Sequence, residues 1–553
     1  MRHAVVALAL LAAAPGGASA APAPLSADTS RPSVESSYGS GNFGHWGVDA
    51  DGLPTFSYEL DHMTDPRGAI PETPNRRRAQ HQLGNDNVVA TAWNDGYTML
   101  WSQSRLMQFV NLWEADNFHW AGGYGYLRTD DGKVLSTLYL DRPQGSEFDR
   151  VFGTGYYKKR MRSEGFEVRE DVYVPSGEDP LLIHEVQLQN LTASERRVSW
   201  FEYWDVNPFD RSHSANRGIS SPQWDESRQM LTVDQANDYG DTKPETIFAA
   251  ALNGEVSGYD TLIEAFFGAP PSRAQPAGAV ADTTTQSIAP PVPPGGENST
   301  LFAMRTPVTL APGESVTLRY AYGLAHREQV NGLVDKYRAA PDALAESQQR
   351  WVDWLPRADF GSQDRWVARE LTWDAYLLRS ASVYEEECGA HTITQGGYYQ
   401  YTAGYNWGFR SWLHYLLPIV YTEPELAREI LRYSIKLQPE VPEGFVPYGT
   451  GPLCQRFDLG TSNDLDFWLL LSAGEYGLGA RDPDFFDEPL PFHDTKREVS
   501  AWEHIKIAYR HQESMKGRNG GYTMGTIGDW SDFATPLGPM TESLLVGAQL
   551  AYA

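Results

Sequence analysis

The feature that most constrains this fold is a change of hydrophobic period near residue 328. Before that point apolar and polar residues alternate, as in Val316, Leu318, Tyr320 and Tyr322. This is the period of a half-buried strand. After that point the apolar residues recur at helical spacing over longer segments. Strands first and helices second predict two regions that fold around separate cores.

The first region is predicted to be a β-sandwich domain over residues 36–327. Short alternating runs recur through it, at 166–174 and 182–188 among others, with Gly and Pro between them. Many short strands separated by turn residues are typical of a large antiparallel sandwich. The segment 269–300 is rich in Pro, Ala, Gly and Thr, and strand patterning resumes directly after it. We therefore expect 269–300 to be a flexible loop inside the domain.

The second region is predicted to be helical, with linker helices over 328–360 and a catalytic barrel domain over 361–553. The segments of helical length are 331–351, 364–381, 409–421, 424–438, 464–478, 498–514 and 540–552. Long loops rich in Gly and aromatic residues separate several of them, at 388–408, 442–462 and 516–539. Paired helices with long loops at one end predict an α/α toroid whose loops converge on one cleft.

The N-terminus is typical of a secretory signal peptide. Arg2 and His3 precede an apolar run, and the small residues up to Ala20 form a cleavage site at the end of segment 1–20. The run is too short to span a bilayer, and no later segment is apolar for long enough. We therefore expect a soluble protein, secreted or periplasmic, with a disordered segment at 21–35.

The amino-acid composition indicates which classes of molecule the protein can bind. The net charge of −27 argues against nucleic acid and anionic membranes, which are themselves negative. Aromatic residues make up 12% of the chain, a modest indication of carbohydrate handling, because sugar C–H faces stack on aromatic rings. The two cysteines, Cys388 and Cys454, either form a disulfide in an oxidising compartment or remain two buried thiols. No metal-binding spacing of His, Cys or acidic residues is evident, so we expect no metal site.

The segment 528–532, which reads GDWSD, is the strongest candidate for chemistry. Asp529 and Asp532 flank Trp530 in a Gly-rich loop. An acid next to an indole is desolvated, which raises its pKa and allows it to protonate a sugar leaving group near neutral pH. The indole in turn offers an apolar surface to the sugar. The alternative is an exposed polar loop whose Trp fills a gap in the core.

These motifs, in this order, resemble glycoside hydrolase family 94, the cellobiose and chitobiose phosphorylases once called glycosyltransferase family 36. The resemblance covers roughly residues 40–553. The sequences that carry it are Trp93-Asn94-Asp95-Gly96-Tyr97, Trp101-Ser102-Gln103-Ser104-Arg105, Gly153-Thr154-Gly155-Tyr156, Gly408-Phe409-Arg410, Ser462-Asn463-Asp464, Ala501-Trp502-Glu503-His504, GDWSD and Glu542-Ser543.

The resemblance implies a multidomain α and β fold, with an N-terminal antiparallel supersandwich followed by an (α/α)6 toroid. It also implies cleavage of a glycosidic bond, expected to be that of a β-glucoside oligosaccharide, by phosphorolysis with inversion. Asp532 falls on the family's general acid, and Trp530 would line the sugar site. Inorganic phosphate would be the co-substrate, with no organic cofactor, and a homodimer is possible.

Five further residues are candidates for substrate binding: Tyr405, Trp407, Arg410, His414 and Asp464. An Arg at a helix start would bind sugar hydroxyls or phosphate, and the alternative is an ion pair to a neighbouring acid. His414 is either a hydrogen-bonding group for the substrate or a packed neutral histidine.

Three departures from the family leave alternatives open. Ser411 and Tyr415 stand where the family has acids that hold the sugar, which favours a non-catalytic carbohydrate-binding protein. Only about half of the six helix pairs of a toroid fit before Ala553, so we expect an incomplete barrel and a truncated sequence. Export favours hydrolysis, which needs a second carboxylate about 6.5–9.5 Å from the acid. Asp464 and Asp466 are the candidates for that base, and helix capping is their alternative role.

Overall fold

The structure is a computed structural model, and it describes residues 44–58, 79–361, 365–393, 408–441, 444–457, 464–523 and 542–552. The predicted signal peptide at 1–20, the segment 21–35 and the GDWSD segment lie outside these residues.

Strands dominate the first region, as predicted. In chain order they are β1 (Gly44–Val48), β2 (Pro54–Tyr58), β3 (Gln80–Gly84), β4 (Val88–Trp93), β5 (Thr98–Ser102), β6 (Gln108–Phe109), β7 (Trp113–Glu114), β8 (His119–Trp120), β9 (Gly122–Arg128), β10 (Val134–Ser136), β11 (Glu147–Gly153), β12 (Tyr156–Ser163), β13 (Phe166–Tyr173), β14 (Leu181–Asn190), β15 (Arg196–Asp205), β16 (Phe209–Asp210), β17 (Ala215–Asn216), β18 (Gln223–Asp225), β19 (Met230–Asp234), β20 (Thr246–Ala251), β21 (Gly258–Leu262), β22 (Thr300–Leu310) and β23 (Ser315–Ala325).

Apart from β7 and β8, which pair with each other, these strands form three antiparallel sheets. The largest has ten strands in the order β1-β2-β11-β12-β13-β14-β23-β20-β19-β18, the second has the order β10-β9-β15-β22-β21, and the third β17-β16-β6-β5-β4-β3. Val172 and Val186 from the large sheet and Trp200 and Trp204 from the second are buried in one shared core. The alternation in the sequence thus places one face of each strand between the sheets, which confirms the predicted sandwich.

The segment 269–300 stays inside the sandwich domain, as predicted, and it has defined contacts. It contains the short helix α2 (Ala277–Ala281), which follows α1 (Ile263–Phe267). The buried carboxylate of Asp260 accepts hydrogen bonds from the backbone and hydroxyl groups of Thr285 and Ser287. The composition of this segment predicted a flexible loop but could not show that one acidic side chain anchors it.

The linker is two helices, α3 (Arg327–Ala339) and α4 (Ala343–Trp354). This agrees with the predicted linker helices over 328–360, but the segment 331–351 is divided between two helices. Pro341 lacks the N–H that a continuous helix needs, so the chain breaks there. Both helices pack on the sandwich, and α4 brings Trp351 against Gly155, where an added Cβ would lie 2.8 Å from the indole.

Helices dominate the second region, as predicted. They are α5 (Arg365–Ser380), α6 (Phe409–Thr422), α7 (Pro424–Lys436), α8 (Leu465–Gly479), α9 (Asp484–Asp487), α10 (Ala501–Ser514) and α11 (Leu544–Tyr552). Short two-stranded ladders lie between them: β24 (Ser382–Glu385) with β25 (Ala390–Ile393), β26 (Gly449–Thr450) with β27 (Arg456–Phe457), β28 (Pro489–Pro491) with β29 (Glu498–Ser500), and β30 (Tyr522–Thr523) with β31 (Glu542–Ser543).

Helices α6 and α8 lie side by side and run in the same direction. Near their middles Ser472 Oγ donates to the Leu413 carbonyl at 2.7 Å, and near their C-terminal ends Tyr421 donates to Glu475. Parallel neighbours of this kind bring two helix N-termini to the same end of the domain. The predicted order of a sandwich followed by a helical domain is confirmed.

The two regions meet at a cluster of charges and a disulfide. Arg105 of the sandwich pairs with Asp241 at 2.8 Å and with Glu387 of the β24–β25 turn at 2.6 Å. Next to Glu387, Cys388 is bonded to Cys454, with the two Cα atoms 5.1 Å apart. Of the two states the sequence left open for these cysteines, the structure thus has the disulfide.

Candidate functional site

The candidate site lies where helices α6 and α8 begin. Arg410 is the second residue of α6, and Asp464 immediately precedes α8. The guanidinium contacts both carboxylate oxygens, with Nε to Oδ2 at 2.7 Å and Nη2 to Oδ1 at 3.0 Å. The carboxylate is 0% exposed, and the indole Nε1 of Trp468 also donates to it at 3.2 Å. The Nη2–Oδ1 contact is a hydrogen bond, and the Nε–Oδ2 contact is a close ion contact that keeps the guanidinium beside the carboxylate.

A second buried carboxylate, Asp466, lies in the first turn of α8. Its Oδ2 contacts Nδ1 of His511 on α10 at 2.6 Å, and its Oδ1 accepts the backbone N–H of Val446 at 3.0 Å. Burial raises the pKa of Asp466, although the contacts from His511 and Val446 oppose that rise. Asp466 therefore ties α8 to α10 and to the loop that follows α7.

His414 lies one turn after Arg410 on the same side of α6. Its ring packs beside the Trp468 indole, with centroids 4.8 Å apart. Contact with the surrounding protein lowers the pKa of His414, because partial burial disfavours the imidazolium. The residue is exposed to solvent, so the structure favours a hydrogen-bonding role over a histidine packed inside the protein.

The structure thus brings together four of the residues that the sequence nominated: Arg410, His414, Asp464 and Asp466. Four others, Tyr405, Trp407, Trp530 and Asp532, lie outside the described residues, as does Asp529. Their roles remain predictions.

The geometry bears on the proposed second carboxylate. A base that activates water must reach water, yet the side chains of Asp464 and Asp466 are 0% and 1% exposed. Each is already held by a cation or an imidazole and by a further N–H group. Asp464 is at the N-cap position of α8, but its side chain makes no capping hydrogen bond. Both carboxylates are therefore placed to hold other groups in position.

Sequence reasoning missed Trp468 and His511. Trp468 had a local signal, because a residue four places after Asp464 lies on the same side of a helix. His511 is 45 positions from Asp466, and nothing in the sequence links the two. The backbone of residues 446–448 was also missed: besides the Val446 N–H, the carbonyl of Tyr448 accepts the first N–H of α6, from Phe409, at 3.0 Å.

Two further features concern the described residues as a whole. Within them, no three or more His, Cys, Asp or Glu side chains are grouped so as to hold a metal ion. None of the helices in the described ranges combines the length and the apolar character needed to cross a bilayer.

Comparison with known proteins shows what the sandwich region of this chain is similar to. Residues 69–340 match the family model "Glycosyl hydrolase 94, supersandwich domain". Over these residues the chain is similar to the supersandwich domain of glycosyl hydrolase family 94. Among curated relatives, the N,N'-diacetylchitobiose phosphorylase of Vibrio proteolyticus is 22% identical over 448 residues, which are 74% of this chain. The chain spans about half of that relative, 53% of its length.

Two solved structures are similar in part to this chain. A candidate kojibiose phosphorylase from the human microbiome covers 85% of this chain, and 67% of its own length, at 11% identity and a TM-score of 0.49. A bacterial glucoamylase complexed with acarbose covers 81% of this chain, and 73% of its own length, at 11% identity and a TM-score of 0.41.

Proposed function

We propose that this protein cleaves a glycosidic bond of an oligosaccharide, a β-glucoside or a close relative, by phosphorolysis with inversion. One observation carries the proposal: a family 94 supersandwich domain is followed directly by helices whose N-termini gather Arg410 and Asp464. The relative from Vibrio proteolyticus supports it, because that protein bears the name of a disaccharide phosphorylase.

In the proposed reaction, an oxygen of inorganic phosphate bonds to the anomeric carbon from the face opposite the leaving group. The bond between that carbon and the glycosidic oxygen breaks, and its electron pair stays on the oxygen. Asp532 donates its carboxyl proton to this oxygen and regains a proton from phosphate or solvent. The products are a sugar 1-phosphate of inverted configuration and the remaining sugar. Arg410, oriented by Asp464, is proposed to contact a sugar hydroxyl or the phosphate.

The buried carboxylates favour phosphate over water as the nucleophile. Inverting hydrolysis needs a carboxylate base beside a water molecule. The two carboxylates that the sequence nominated for that task are Asp464 and Asp466, and both are buried and already paired. Phosphate carries its own nucleophilic oxygen, so phosphorolysis needs no such base.

The experiment is an incubation of the protein with cellobiose or with N,N'-diacetylchitobiose, with and without inorganic phosphate. We expect a sugar 1-phosphate to form only when phosphate is present. Asp532→Asn should abolish that product, whereas Asp353→Asn, which changes an exposed carboxylate on linker helix α4, should not. Release of free sugar at the same rate without phosphate would indicate hydrolysis. Full activity of the Asp532→Asn variant would show that Asp532 is not the general acid.

The proposal also includes export. Residues 1–20 are proposed to direct secretion and to be removed after Ala20. Mass spectrometry of the protein recovered from outside the cytoplasm should then give an N-terminus at Ala21. Recovery of the uncleaved chain inside the cell would contradict this part of the proposal without affecting the chemistry.

A further inference from the structure

The residues on either side of the segment that carries Asp532 pair with each other in one two-stranded ladder. Strands β30 and β31 pair antiparallel, with Tyr522 opposite Ser543 and Thr523 opposite Glu542. The chain between Thr523 and Glu542 therefore starts and ends at adjacent backbone positions. Whatever fixes this ladder fixes both ends of the segment.

The side chain of Glu542 reaches from this ladder to the preceding turn. Its Oε1 accepts the backbone N–H of Asn519, and its Oε2 accepts the backbone N–H of Gly521, each at 2.8 Å. Each carboxylate oxygen thus holds one N–H of the same turn. Hydrogen bonds to a charged acceptor are about twice as strong as neutral ones.

The turn is shaped to admit this carboxylate. A Cβ added at Gly517 would overlap Oε1 of Glu542, and one added at Gly521 would lie 2.9 Å from Oε2. Gly520, between them, has a φ of +85°, which side chains rarely adopt. The N–H of Gly517 donates to the Gly521 carbonyl at 2.6 Å and closes the turn. Glycine at 517 and 521 leaves room for the glutamate.

The ladder is attached to the same helix as the candidate site. Helix α10 carries His511, which contacts Asp466. Two residues later, Oε1 of Glu513 accepts the Tyr522 hydroxyl at 2.6 Å, and the Met515 carbonyl accepts the Thr523 N–H at 2.9 Å. The C-terminal end of α10 therefore supports both Asp466 and the strand that leads into the Asp532 segment.

We infer that Glu542 is a positioning residue for the proposed general acid. By holding the turn at 517–521 against β31, its carboxylate fixes both ends of the segment that carries Asp532. It acts through Asp532 and has no contact with the substrate in this scheme. The inference rests on the proposed function, because it assigns Glu542 to the same proton transfer.

The test compares two leaving groups in Glu542→Gln, which keeps the size of the side chain but replaces one acceptor oxygen with an N–H₂ group. In phosphate buffer, cellobiose needs a proton on its leaving oxygen, whereas β-glucosyl fluoride releases fluoride with little assistance. N,N'-diacetylchitobiose and N-acetyl-β-glucosaminyl fluoride form the second pair. A misplaced acid should lower kcat for the disaccharide by about 10- to 100-fold, leave its KM within about twofold, and leave the fluoride rate within about threefold. Equal losses on both leaving groups, or no loss on either, would overturn the inference.

The matched control is Glu440→Gln, which removes a surface carboxylate that pairs with Arg497 in the same region. It should leave both rates unchanged. Hydrogen exchange gives a readout that does not depend on activity: the amides of Asn519 and Gly521 should exchange faster in Glu542→Gln than in Glu440→Gln. Equal exchange rates of these amides in the two variants would show that Glu542 does not hold the turn. If the wild-type protein cleaves neither disaccharide, the proposed function fails, and exchange alone then decides whether Glu542 holds the turn.

Discussion

Replacing Arg410 with Met should strongly destabilise the helical region. The Asp464 carboxylate is 0% exposed and the Arg410 side chain 14% exposed, so the substitution leaves a buried charge without its cation. Breaking a buried pair in this way costs about 3–5 kcal/mol. The Trp468 indole still donates to Asp464, which places the expected loss near the lower value, about 3 kcal/mol. Asp464→Asn should cost less, because the remaining guanidinium can turn toward solvent.

The assay is a double-mutant cycle of Arg410→Met and Asp464→Asn. Urea unfolding is followed by circular dichroism at 222 nm, a signal that the helices after residue 327 dominate. Removing both charges leaves neither one unpaired, so the double variant should be more stable than the sum of the single effects predicts, by about 2 kcal/mol or more. Additivity within about 0.5 kcal/mol would refute the argument that the two charges stabilise each other.

Two further predictions concern stability. The disulfide between Cys388 and Cys454 closes 66 positions of chain, so replacing both cysteines with Ser should cost about 4 kcal/mol, and an unchanged urea midpoint would contradict this. In the sandwich, burial opposes the charged imidazolium of His184, but the carboxylates of Glu202 and Glu170 outweigh it and raise its pKa to about 9. This stabilisation is complete below the unfolded pKa of about 6.5 and is lost as the pH rises through 9. The Tm should therefore fall between pH 6 and pH 9.5 in the wild type and fall less in His184→Gln, and identical slopes would count against this account.

Local patterns in the sequence predicted most of the fold. The alternation at 316–322 became β23, and that at 166–174 became β13, because period two places one face of each strand in the core. Helix boundaries were predicted to within a few residues, except where Pro341 divides the linker. The effect of a proline is local, so the division of the linker at Pro341 could have been predicted from the sequence.

The contacts that form the site could not be predicted from local sequence patterns. Asp464 meets Arg410 across 54 positions, and Arg105 meets Glu387 across 282. Such partners depend on how helices and sheets pack, and a single sequence carries no signal for that distance. The sequence nominated Arg410 either as a binding group or as the partner of a neighbouring acid, and only the packing shows that it pairs with Asp464.

The most direct test of the central claim is proton NMR of the first product formed from cellobiose or N,N'-diacetylchitobiose in phosphate buffer. The anomeric coupling distinguishes the α and β configurations of a sugar 1-phosphate. Inverting phosphorolysis of a β-linked disaccharide predicts an α-configured sugar 1-phosphate, and Asp532→Asn should not produce it. A β-configured sugar phosphate, or free sugar as the sole product, would contradict the account.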